Sequence, residues 1–110
     1  MTKHRPENDS LRDYILDQLA GIDGIACRAM FGGFGLYRGT VFFGILHRGR
    51  LFLKTDAESR AAFEARGMEC FRPSARQRLT QYMEVPPDII DSADELREWT
   101  LQSIAVARRS

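Results

Sequence analysis

The chain reads as an α+β protein, a two-layer sandwich in which helices pack largely on one face of an antiparallel sheet. The order is helix, three strands, helix, two strands, helix. Three observations predict it. Apolar residues recur at helical spacing in three separate segments. Between those segments the period drops to two, the signature of strands with one face on a core. The turns between the first strands are short, whereas a parallel return needs a crossover of a dozen or more residues.

The first helix is announced by Ser10 with Asp13 three residues on, an acid-shortened capping box. Leu11, Tyr14, Ile15, Leu19 and Ile22 follow as its inward stripe, and Gly21 and Gly24 stop it. From Ile25 the residues Ile25, Cys27, Ala29 and Phe31 alternate with Ala26, Arg28 and Met30, a strand. Gly32, Gly33 and Gly35 interrupt that strand while Phe34, Leu36 and Tyr37 carry it on, so the glycines are expected to let it bend. A valine at Gly33 would then be costly if its φ is positive. Arg38-Gly39 turns into the second strand, Thr40 to Leu46, and Arg48-Gly49 into the third, Leu51 to Lys54. Thr55, with Glu58 as box partner, is expected to cap the second helix, and Gly67 fits its C′ position. Glu69 to Arg72 makes a short fourth strand, Pro73 to Arg78 a polar loop, and Leu79 to Val85 a fifth strand ended by Pro86-Pro87. Ser92 with Glu95 opens the last helix, whose inward stripe is Leu96, Trp99, Thr100, Ser103, Ile104 and Ala107.

At 110 residues the chain is one domain, since a typical domain holds roughly 100–150. A polar tail over residues 1–9 and a folded unit over 10–108 are the expected boundaries. Hydrophobic residues make up 44% and charged residues 28%, which argues against disorder. The first ten residues lack the apolar run of a signal peptide, and Val41 to Leu46 is far short of the ~20 residues of a membrane span. A cytoplasmic protein is therefore expected, with Cys27 and Cys70 reduced and packed rather than bridged.

No pattern of reactive residues emerges. Gly33-Phe34-Gly35 is followed by Gly39, one position late for a dinucleotide-binding loop, and a strand follows where that motif needs a helix N-terminus. Gly44 to Gly49 has P-loop spacing, but Arg50 and Leu51 stand where Lys and Ser/Thr belong. His4, Cys27, His47 and Cys70 are too dispersed for a zinc site, which draws its ligands in close pairs. No serine lies in a G-x-S-x-G elbow. Asp94, Glu95 and Glu98 sit early in a helix, where they suit its dipole and face water. No enzyme activity, cofactor or metal is expected.

Charge is distributed unevenly. Residues 25–54 carry Arg28, Arg38, Arg48, Arg50 and Lys54 with no acid, and residues 72–82 add Arg72, Arg76 and Arg78, within a chain of net charge +1. The helices are acidic by contrast. Either strand and helix charges complement each other and keep the outer face soluble, or the basic face docks an anionic surface, an acidic protein or nucleic acid. Acidic helices argue against a recognition helix in the DNA major groove. An uncovered Phe-rich sheet face or an open edge favours dimerisation.

The run Arg28-Ala29-Met30-Phe31-Gly32-Gly33-Phe34-Gly35-Leu36-Tyr37, with Val41-Phe42-Phe43, Leu51-Phe52-Leu53-Lys54-Thr55-Asp56, Ala61-Ala62-Phe63 and Tyr82-Met83-Glu84-Val85-Pro86, resembles the N-terminal domain of the TfoX/Sxy family over roughly residues 11–107. The resemblance implies a secretion-chaperone-like α-β(3)-α-β(2)-α sandwich, in agreement with the order read from periodicity. It also implies kinship with regulators of natural competence, which act with a cyclic-AMP-receptor-type activator at promoters. Those regulators carry a second, helical domain, and a stand-alone form is expected here. The expected reading is a regulatory module working through protein contacts, with a transcription regulator as the kind of partner. Nucleic-acid binding by the basic sheet is the alternative, and no membrane is involved. Met30, Phe31, Leu36 and Tyr37 are expected to supply core and sheet-face contacts, and Gly32, Gly33 and Gly35 the bend.

Overall fold

The computed structural model describes residues 6–30 and 32–110. The elements are α1 (Pro6–Gln18), β1 (Ile25–Met30), β2 (Gly33–Arg38), β3 (Val41–His47), β4 (Arg50–Lys54), α2 (Ala57–Ala65), β5 (Cys70–Ser74), β6 (Gln77–Glu84), α3 (Pro87–Ile90) and α4 (Ala93–Arg109). All strands join one antiparallel sheet in the order β1-β2-β3-β4-β6-β5. The expected fold class stands, with one more strand in the first group and a short extra helix, α3, after Pro86.

The additional strand comes from the glycine run, which folds a hairpin rather than a bend. Met30 pairs with Gly33 across it, and Gly32 has φ +76°, a left-handed conformation that glycine adopts without steric cost. Gly33 is needed for a different reason. A methyl group there would collide with the backbone carbonyl oxygen of Leu46 on the neighbouring strand, so close approach, not a positive φ, forbids a side chain. Phe31 lies outside the described residues, and so does the expected tail up to residue 5.

Helix starts also moved. α1 begins at Pro6, a residue suited to the first helical turn because it lacks a donor, so Ser10 lies inside the helix instead of capping it. Residues 6–9, expected in the tail, lie in this helix. The cap of α2 is Asp56, one residue later than expected, with Ser59 as its reciprocal partner. Thr55 is drawn away because both its N–H and its hydroxyl donate to the Gln81 carbonyl, extending the β4–β6 pairing. Gly67 closes α2 as expected, its N–H on Glu64 and that of Met68 on Phe63, a Schellman motif. Ser92 caps α4 through Glu95 N–H. Pro73 to Arg78, read as a loop, is instead the β5–β6 hairpin.

The helices gather on one side. Ile15 and Leu19 of α1, Phe63 of α2, Ile89 of α3, and Leu96 and Ile104 of α4 form one cluster with Leu36, Phe43, Leu46, Leu51, Leu53 and Met83 of the sheet. A bulge in β3 makes this possible. Leu36 is opposite Gly44 while Tyr37 is opposite Phe42, leaving Phe43 as an extra residue. The Phe43 ring turns to the helices, and its carbonyl accepts a buried hydrogen bond from Ser103 Oγ of α4 at 3.0 Å.

Candidate functional site

Among the described residues, the opposite side of the sheet carries no helix. Its cluster is made of strand residues alone: Ile45, Phe52 and Phe71, with Phe42, Leu79 and Tyr82 packed against them. Strand alternation, reset by the bulge, sends Tyr37, Phe42 and Tyr82 to this side. They form a row, with ring centroids 5.1 Å apart for Tyr37–Phe42 and 5.7 Å for Phe42–Tyr82. Gly35 leaves room for it: a methyl there would meet Met30 Sδ at 2.8 Å and the Tyr37 and Phe42 rings at 3.1 Å. Burial pushes the Tyr82 phenol above its ordinary pKa, with Tyr37 adding to the effect.

A cation sits over each end of the row. The Arg28 guanidinium lies 4.7 Å from the Tyr37 centroid and the Lys54 ammonium 5.2 Å from that of Tyr82, both within cation–π range. The end rings therefore present positive charge to solvent.

A groove of about 850 Å³ lies on the β5 side, lined by His47, Arg48, Arg50, Phe71 and Arg72 together with Glu69 and Glu84. The irregular β5–β6 pairing lets Phe71 reach across to Phe52, 4.9 Å between centroids, and set its ring edge-on to His47 at 5.1 Å. Burial raises the Glu84 carboxyl above the usual carboxylate range, Arg50 opposing and Glu69 reinforcing the shift. Two carboxylates among three guanidiniums leave this groove of mixed charge.

The eight expected anion-binding cations thus divide. Arg28 and Lys54 flank the aromatic row, and Arg48, Arg50 and Arg72 line the groove. Arg76 and Arg78 are exposed on the β5–β6 hairpin. Arg38 does not join them: it alternates away from Tyr37, and its Nε donates to the Asp23 carbonyl at 3.0 Å on the helix side. Among the described residues, Arg50 alone of the eight has a carboxylate within 4.0 Å, Glu84 at 3.8 Å. Arginines of the helices and their ends, Arg108 excepted, are paired instead: Arg12 with Asp13, Arg60 with Glu64, Arg66 with Asp88, Arg97 with Asp94 and Arg109 with Asp56.

Of the glycine-run residues, Leu36 is core, Tyr37 belongs to the open face, and Met30 packs over Gly35. The sequence reading missed Phe42 and Tyr82 as members of that face. Only the register of β3 and β6 unites them with Tyr37, and the bulge disguises Phe42 as one of a plain Phe-Phe pair. Cys27 and Cys70 are free and half-buried. Burial under α1 lifts the Cys27 thiol to about 11, with Asp13 adding and Arg12 opposing, so it is protonated and unreactive at neutral pH. Among the described residues, no three His, Cys, Asp or Glu side chains gather as metal ligands, and no helix is long and apolar enough to cross a membrane.

Fold and site together define a class: a small α+β sandwich with one helix-covered face and one open, cation-capped aromatic face. The family model of the TfoX N-terminal domain matches residues 17–107, and the chain belongs to that family. No curated protein matches it.

Proposed function

We propose that the chain is a non-enzymatic interaction module that binds an acidic protein surface through its helix-free sheet face, in the setting of transcription regulation that its family suggests. One observation carries this reading: of the arginines on the helices and their ends, all but Arg108 have a carboxylate within 4.0 Å, while Arg28 and Lys54 are held over aromatic rings with no carboxylate partner among the described residues. A cation left without a counter-charge on an open face keeps its attraction for an external anion, and that attraction steers association. The competing reading, single-stranded nucleic acid stacked on the aromatic row, is favoured by the three rings in line. The cations already lying over the two end rings oppose it.

The test is a fluorescence titration with a labelled peptide of alternating glutamate and phenylalanine, set beside a labelled single-stranded oligonucleotide of equal charge. Tighter, salt-sensitive binding of the peptide, lost in the Arg28→Glu, Lys54→Glu variant with unchanged melting temperature, supports the proposal. Tighter binding of the oligonucleotide, or binding untouched by the double variant, overturns it.

A further inference from the structure

The two outer strands of the sheet are built differently. β5 carries Pro73, which has no N–H to offer, and its pairing with β6 loses register twice. Both features discourage another chain from adding to that edge. β1 has neither defence: Ile25 to Met30 contains no proline and pairs with β2 one-to-one along its whole length.

The direction of its free groups follows from one hydrogen bond. Gly39 N–H donates to the Gly24 carbonyl at 3.3 Å, which makes Gly24 and Gly39 a hydrogen-bonded pair of the antiparallel ladder. Such pairs alternate along a strand. The backbone groups of Ala26, Arg28 and Met30 therefore face β2, and those of Ile25, Cys27 and Ala29 face outward.

We propose that β1 pairs antiparallel with β1 of a second copy of this chain, about a two-fold axis through Cys27. This inference is independent of the acidic-partner reading. Side chains must keep to their own face of the joined sheet, because a slip of one residue reverses them. That leaves two central registers. One sets Arg28 directly opposite its own copy, and like charges directly opposite are destabilising. The other centres on Cys27, sets Arg28 opposite the small, exposed Ala26 of the second copy, and brings the outward groups of Ile25, Cys27 and Ala29 all into hydrogen bonds. Charge selects the second. It also places the two open faces on one side, with an Arg28–Tyr37 pair on each flank of the axis. A single strand pair buries less than the about 800 Å² per partner of a standard interface, so self-association in the micromolar range is expected.

Sedimentation velocity over a concentration series, paired with residue-resolved amide exchange, tests this. The expected result is a concentration-dependent dimer in which the amides of Ile25, Cys27 and Ala29 gain protection while those of Ala26 and Arg28, already bonded to β2, do not change. Ala26→Glu adds a carboxylate opposite Arg28 of the second copy and is expected to tighten the dimer about three- to tenfold; Ala26→Arg is expected to weaken it by a similar factor. Both changes fall on an exposed position. A monomer throughout the series, a dimer that leaves the β1 amides unprotected, or charge variants acting in the opposite sense would each overturn the proposal.

Discussion

The two faces of the sheet take their side chains from the same strands and meet different demands. On the helix side, Leu36, Phe43, Leu46 and Leu51 are fully buried and interlock with residues of all four helices. On the other side, stability comes from a small cluster around Phe52 and Phe71, and beyond it from rings stacked under cations, half open to water. The first arrangement is what burying apolar area requires. The second leaves polarisable surface and charge where packing alone would have placed more leucine, and that surplus is why the proposed partner is assigned to this face.

The sharpest way to break this contrast is a pair of truncations. Leu96→Ala is expected to lower unfolding free energy by about 3 kcal/mol in a urea titration, since it opens a cavity in the main core. Tyr37→Ala is expected to cost only about 1 kcal/mol, one ring contact and one cation–π contact, yet to abolish binding of the acidic peptide. Equal losses from the two would erase the distinction between a structural and a recognition face. Between them lies Ser103→Ala, expected to cost about 1.5 kcal/mol because the buried Phe43 carbonyl at the bulge loses its donor. Arg48→Gly has the smaller and opposite effect. Arg48 at φ +52° and Gly49 at φ +77° make the tight β3–β4 turn, in which both central residues need a positive φ. Glycine at position 48 is expected to raise stability by about 0.5–1 kcal/mol, read in the same urea titration.

Glu84 sharpens the contrast through pH. Its carboxyl is raised by burial, so the folded state holds this proton more tightly than the unfolded chain does. Its contribution to stability is full below the unfolded carboxyl pKa and is lost as pH rises through the raised folded value. Glu84→Gln is expected to remove that loss, making the variant more stable relative to the parent at neutral pH than at pH 4. A parent-minus-variant difference that does not change with pH would contradict this assignment.

Much of the scaffold was legible in the residues because it rests on local rules. Period-two runs gave β3, β4 and β6, the Ser92–Glu95 box gave α4, and Gly67 gave the end of α2. The failures occurred where a tertiary contact competed with a local preference. Thr55 is a sound cap by type, but the Gln81 carbonyl claims it. The glycines of residues 32–35 look alike in the sequence and do three jobs: a turn at Gly32, backbone approach at Gly33, and room for rings at Gly35. Of the site, charge segregation revealed Arg28 and Lys54 as candidates, because the absence of acids over residues 25–54 needs no coordinates to see. The aromatic row was hidden, since its members come from β2, β3 and β6 and meet only through register. The same missing register placed Arg38 wrongly with the others.

The extra residue at Phe43 has a consequence for how this strand tolerates change in length. Upstream of it, odd-numbered positions look toward the helices; downstream, even-numbered ones do. Deleting Phe43 would restore one-to-one pairing with β2 but strip the main core of its ring and Ser103 of its acceptor. Inserting one more residue there would instead turn half of β3 over, sending either Phe42 inward or Leu46 out into water. Insertions at the Gly39 or Gly49 hairpins shift nothing of the kind. Length variation among related chains is therefore expected to collect at those turns and to spare the middle of this strand.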